Sequence, residues 1–149
     1  TANDVKLKEE TKEEAKKKEE TKKQFKDFLE LARNIISAEK IEKVELNENL
    51  WDAISALRTP EWGLDPQMEK MMKAMWQPVP PQKRILELNP NTKLVKSMKW
   101  EFKKDLKSEK LKNMIDYSYN SAILLEGWEL ENIADFVKLT NKFAGDYLV

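Results

Sequence analysis

The chain contains no cysteine and no histidine. This removes disulfides, thiolate nucleophiles and thiolate metal sites, the commonest side-chain base and the one side chain that switches charge near neutrality. Glycine and proline are scarce too, at 3 and 6 in 149 residues. That is about half the usual share of backbone breakers, which points to long helices and few loops. Neither sign of charge predominates: 27 basic side chains meet 27 acidic ones, so there is no global attraction for nucleic acid or an anionic membrane. No apolar run approaches the roughly 20 residues of a spanning helix, and the N-terminal segment lacks the apolar stretch of a signal peptide. What is present is 40% hydrophobic content, enough for one helix-rich domain burying roughly two thirds of its unfolded surface. A cytoplasmic location is the expectation. A chain that begins with Thr1 rather than Met reads as a fragment or a processed product.

The first 24 residues hold 8 Lys and 7 acids with almost no apolar side chain. Glu13 with Lys17, Glu14 with Lys18 and Glu19 with Lys23 place an acid four residues before a base, which supports a solvated helix by about 0.2–0.5 kcal/mol per pair. Thr11 and Glu14 have the spacing of a capping box. From Phe25 the same helix gains an apolar stripe, Phe25, Phe28, Leu29, Ala32, Ile35 and Ile36, so a helix from about residue 9 to 37 is expected to bury only its second half. Val44 and Leu46 then alternate with Glu45 and Asn47, the pattern of a short strand closed by a turn at Asn47-Glu48-Asn49. Leu50 to Thr59 fits a helix through Leu50, Trp51, Ile54 and Leu57 as well as it fits a strand through Ile54, Ala56 and Arg58.

All six prolines lie between Pro60 and Pro90. Asp65 suits a helix N-cap and Pro66 a first helical residue, and Met68, Met71, Met72, Met75 and Trp76 follow at helical spacing until Pro78-Val79-Pro80-Pro81 ends the helix. Four of the six methionines therefore share one face. Their unbranched, polarizable side chains suit a promiscuous binding surface, although spacing by itself favours ordinary core. Arg84-Ile85-Leu86-Glu87-Leu88 reads as a strand, and Asn91 or Thr92 as the cap of a helix carrying Leu94, Val95, Met98 and Phe102. The last third holds two stripes separated by Gly127-Trp128: Leu111, Ile115, Ser118, Ala122 and Leu125, then Ile133, Phe136, Val137, Thr140, Phe143 and Tyr147, with Asn132 as cap. These predict an antiparallel helical hairpin with more apolar surface than one chain's core needs, and a second copy completing a four-helix bundle is the simplest partner. Catalysis has only carboxylates, Lys, Tyr and Ser to use. Glu129, Glu131 and Asp135 cluster near a helix start, where the helix dipole already favours acids. No phosphate loop, dinucleotide glycine motif, calcium loop or nucleophile elbow occurs.

Three stretches together resemble the ninety-kilodalton heat-shock chaperones, and their bacterial members most: Gln67-Met-Glu-Lys-Met-Met-Lys-Ala-Met75, Val79-Pro-Pro-Gln-Lys-Arg-Ile-Leu-Glu-Leu-Asn-Pro90, and Ala122-Ile-Leu-Leu-Glu-Gly127 with Leu130-Glu131 and Phe136-Val-Lys-Leu-Thr-Asn141. The resemblance implies the family's C-terminal domain over residues 25–149, preceded by a charged helical lead-in over 1–24. The implied fold is α+β: a long N-terminal helix, a small three-stranded sheet including a strand near Ile54 to Arg58, an amphipathic Met-rich helix, and a C-terminal hairpin that dimerises as a four-helix bundle. By the same resemblance Met68, Met71, Met72, Met75 and Trp76 contact unfolded or partly folded client proteins. Leu111, Ile115, Ser118, Ala122, Leu125, Phe136, Leu139 and Phe143 form the homodimer interface. The chain itself is then non-catalytic and needs no cofactor or metal, since ATP and magnesium bind other domains of such a chaperone. No contact with nucleic acid or membrane is implied.

Several positions depart from the family pattern. Trp76 stands where glycine is usual, Ala53-Ile54 where Ser-Pro or Thr-Pro is common, Asn132-Ile133 where Asp-Pro opens the last helix, Thr92 at a position often histidine, and Trp128 after the hairpin glycine. If position 76 has positive φ, tryptophan there costs about 1 kcal/mol unless its ring is buried. The end Asp146-Tyr-Leu-Val149 lacks the acidic tail on which tetratricopeptide co-chaperones dock, so that partner is not expected. The readings that compete with a chaperone module are a stand-alone helical scaffolding or protein-interaction domain and, further off, a carboxylate-dependent hydrolase.

Overall fold

The computed structural model describes residues 2–79 and 82–148, with side chains from residue 12 onward. The chain runs α1 (Ala2–Ile36), β1 (Ile41–Leu46), β2 (Ser55–Arg58), α2 (Pro66–Ala74), β3 (Arg84–Leu88), α3 (Lys93–Lys104), α4 (Glu109–Leu125) and α5 (Ile133–Tyr147). The α+β class is as expected, and the strand at Arg84 to Leu88 has the expected bounds. Helix α1 extends through both members of the Thr11–Glu14 pair rather than starting near residue 9, and the Thr11 side chain lies outside those described. Residues 12–24 are exposed throughout, and burial begins only where the apolar stripe does, with Phe28 and Ala32 inside. Of the proline run that ends α2, Pro80 and Pro81 lie outside the described residues.

The three strands form one mixed sheet in the order β1-β3-β2. Strand β3 pairs parallel with β1, Val44 opposite Leu86, and antiparallel with β2, Leu57 opposite Leu86. Central placement explains why Ile85, Leu86 and Leu88 are all buried while the flanking strands are only partly so. Residues 55 to 58 resolve to strand, one residue after the expected Ile54, because Asn89, itself buried, donates from its amide to the Trp51 and Ala53 carbonyls, both at 3.0 Å. This pins a turn in which Trp51 takes φ 58°, so the chain cannot continue as a helix.

The core lies between the sheet and helices α1, α3 and α4, and contains Phe28, Ala32, Ile41, Val44, Leu86, Leu88, Val95, Met98, Leu111, Met114, Ile115 and Ala122. Helix α1 packs on β1 and helix α4 on β2. Ser55 Oγ donates to the Ser118 carbonyl at 2.6 Å, tying β2 to α4 inside the core. On the outer face Arg58 reaches across β3 to Glu45 at 2.7 Å. Lys43 first and Arg58 with it hold the Glu45 carboxyl below the usual carboxylate range against the opposing effect of desolvation.

Candidate functional site

Helix α2 is built from local signals at both ends. Asp65 accepts a hydrogen bond from the Gln67 amide at 2.8 Å and Pro66 occupies the first turn, as an N-cap and first residue should. At the other end the Gln77 amide bonds to the Met72 carbonyl (2.9 Å) and the Trp76 amide to the Lys73 carbonyl (3.1 Å). This is a Schellman closure, with residue 76 in the left-handed position that glycine normally fills. Trp76 indeed has φ 59° and is 95% exposed, so no packing within the chain offsets the strain. Trp76→Gly is therefore expected to raise the urea-unfolding stability by about 0.5–1 kcal/mol: relief of left-handed strain exceeds the added freedom of glycine in the unfolded chain. A lower midpoint would mean that the indole gains burial against something outside the protomer.

The helix turns its apolar stripe away from the body. Met68, Met71 and Met75 are 52–60% exposed, Met72 is half-buried, and the residue driven inward is Glu69, at 7%. Sequence spacing favoured a core assignment for this stripe, and the structure gives the opposite side. Glu69 accepts from Arg84 Nη2 on β3, and Arg84 Nε donates to Glu126 just after α4 at 3.1 Å. Lys73 pairs with the other Glu69 oxygen at 3.3 Å, and Lys70 donates to the Glu126 backbone carbonyl. Trp128 Nε1 donates to Glu126 at 2.6 Å, and the ammonium groups of Lys73 and Lys70 sit 4.5 and 5.0 Å from the Trp128 ring centre. These ties cross 15 and 42 residues of sequence, and only the exceptional position of an acid inside a Met-rich helix hinted at them.

The second surface is the hairpin. Helix α4 starts at Ser108, whose hydroxyl accepts from the Leu111 amide, and ends in a second Schellman closure at Gly127, φ 88°. The connection spans residues 126–132 rather than Gly127-Trp128 alone, and α5 begins at its expected cap, Asn132. Leu111, Ile115, Ser118 and Ala122, expected at a contact between copies, instead lie fully inside the chain's own core. Their spacing marked a buried stripe correctly but did not say which surface covers it. Phe136 stacks on Tyr117 (centroids 5.2 Å, 4° between planes), and Phe143 meets the same ring edge-on at 5.0 Å, so both are partly engaged within the protomer. Leu139 lines an open groove of about 670 Å³ between α4 and α5 that also holds Asp116, Asn120 and Lys138. Burial raises the Asp116 carboxyl above its usual range, with Lys112 opposing. Leu125 does face outward, together with Leu124, Ile133 and Val137, which the interface assignment missed. Helix α5 contributes no buried residue at all.

Of the acids near the start of α5, Glu131 pairs with Lys40 at 3.0 Å, and Asp135 is bonded to the cap residue Asn132. Among the described residues no group of three His, Cys, Asp or Glu is placed to hold a metal ion, and no helix is long and apolar enough to cross a membrane.

The family model described as Hsp90 protein matches residues 1–147. Among curated relatives, a protein named chaperone protein HtpG from Geobacter sulfurreducens is 37% identical over 131 residues, covering 88% of this chain and 20% of the relative. HtpG of Ruthia magnifica is 35% identical over 133 residues, covering 89% and 20%. HtpG of Actinobacillus pleuropneumoniae is 35% identical over 123 residues, covering 82% and 19%. The chain thus spans about one fifth of the length of these relatives. With a family model matched over nearly its whole length and HtpG similarity over most of it, the chain belongs to the Hsp90 family.

Proposed function

We propose that this chain is the C-terminal region of a bacterial-type Hsp90 chaperone, where it joins two protomers and contacts client proteins without catalysing a reaction itself. The observation that carries this reading is helix α5, which forms 15 residues of helix with aromatic and aliphatic side chains on repeated turns yet buries none of them fully, Phe136, Leu139 and Phe143 being half-buried. A helix of that kind derives its stability from packing against a partner. The exposed Leu124, Leu125, Ile133 and Val137 supply an apolar strip, and the α4–α5 groove supplies the shape. A second copy of the hairpin satisfies both by the self-complementary contact usual in twofold dimers. Pairing would hold two full-length chains together and raise the local concentration of their other domains, where nucleotide chemistry resides in this reading. The setting is the cytoplasm.

The outward Met68, Met71, Met75 and Trp76 supply the client surface. Flexible thioethers adapt to varied apolar shapes, and an exposed indole adds area at low conformational cost. Met71→Glu combined with Met75→Glu is expected to leave the urea midpoint within about 0.5 kcal/mol, as exposed substitutions do. The same pair should reduce suppression of aggregation of an unfolded model protein at least severalfold. Loss of cooperative unfolding would show that these methionines are core, and unaltered suppression would remove them from the client surface.

A further inference from the structure

The way α2 is fastened to the body is unusual for an amphipathic helix. None of its side chains joins the hydrophobic core or packs directly on it, and its single buried residue is the charged Glu69. Among the described residues the bonded hairpin-side partners of α2 are Glu126 and Trp128, which flank Gly127 in the left-handed turn closing α4. Arg84 is the fixed centre, since it stands on the middle strand of the sheet and joins an acid from α2 to an acid from that turn. Gly127 is favoured there by its φ of 88°, and a Cβ would displace only the flexible end of Lys70, 2.8 Å away. Among the described residues, one nitrogen of Arg84, Nη1, is buried without a hydrogen-bond partner.

We infer that Glu69, Arg84, Lys70, Glu126 and Trp128 form an electrostatic latch that positions the Met-bearing helix and links its docking to the turn of the hairpin. Apolar docking is non-directional and tolerates sliding. Ion pairs and cation–π contacts instead fix one register, and removal of one member leaves the remaining buried charges unpaired, so the contacts fail together. That gives α2 two arrangements, held on the turn or released from it. Any displacement of the turn, such as that produced when two hairpins pack, is transmitted to the helix. By reciprocity, whatever binds the outward face preferentially in one arrangement biases the turn in return. These are positioning residues: their role in client contact rests on the reading of α2 given above, whereas the latch itself does not.

Hydrogen–deuterium exchange of the full chain separates the two. In Glu126→Gln and in Trp128→Leu, amides of residues 70–77 are expected to exchange at least tenfold faster while those of residues 114–118 in the core of α4 keep their rates. Lys70→Met, which removes a partner without stranding a buried acid, should give a smaller increase in the same segment and should not add fully to Trp128→Leu. The latch is overturned if residues 70–77 keep their wild-type rates in all three variants. It is equally overturned if residues 114–118 accelerate in parallel, because the effect is then general destabilisation. Release of α2 with unaltered suppression of aggregation would support the latch and remove the client reading of α2.

Discussion

Leu125→Asp combined with Val137→Asp is expected to convert the proposed dimer of twice 17.6 kDa into a folded monomer. Both side chains are exposed in the protomer, at 65% and 48%, so charging them costs the isolated chain little. In a twofold contact each substitution appears twice, which places four carboxylates in the apolar strip. Each buried, unpaired charge costs several kcal/mol, and at about 1.4 kcal/mol per tenfold the dissociation constant should rise by at least about a thousandfold. Sedimentation equilibrium over a wide concentration range measures this, with circular dichroism confirming that helix content is kept. An unchanged dimer mass would place the contact on another surface. Phe143 makes a poorer test than sequence reasoning indicated, because its ring already packs edge-on against Tyr117 within the protomer. Leu111 makes a different one: as it is fully buried, a charge there should unfold the chain rather than split it.

Among truncations to alanine, a large loss of stability is expected from Phe28→Ala. Phe28 is 1% exposed and meets Phe102 edge-on at 5.6 Å, so it joins the second half of α1 to α3 across the core. Truncating a buried phenylalanine removes its transfer energy, leaves a cavity and deletes the ring pair, which together cost about 3–5 kcal/mol. Against a total of about 5–15 kcal/mol for a domain, that is a large fraction, and a urea titration should show the midpoint fall accordingly. A loss below about 1 kcal/mol would mean that α1 is not part of the cooperative unit. The charged segment 12–24 gives the internal contrast. With no buried side chain, its substitutions should move the same midpoint by less than about 0.5 kcal/mol.

Much of this architecture is legible locally. Asp65, Thr92 and Asn132 each cap the helix that follows, because a side-chain oxygen one residue before the first turn satisfies a free amide wherever the chain goes next. The Arg84–Leu88 strand follows from its apolar run between prolines, and the burial of α1 begins where its stripe does. The condition of left-handed backbone at residue 76 came from a family pattern of glycine, and the observed φ of 59° meets it. Residues 50–59 had two equally good patterns, and a distant side chain, Asn89, decided between them.

By itself, then, the sequence determined most of the helices and strands and several of their caps, though neither the start of α1 nor the state of residues 50–59, that thiol and imidazole chemistry is absent, and, through three motifs, the family. It did not determine which way each stripe faces. The Met stripe of α2 and the Leu111–Ala122 stripe of α4 have the same helical period, yet one turns to solvent and the other into the core. Periodicity records that residues share a face and carries no information about what that face meets. That choice was made by tertiary contacts: Arg84 on the central strand draws Glu69 inward and so turns the methionines out, while the sheet and α1 cover α4. Such ties join residues far apart in sequence, and their energy exists only once the chain has brought them together.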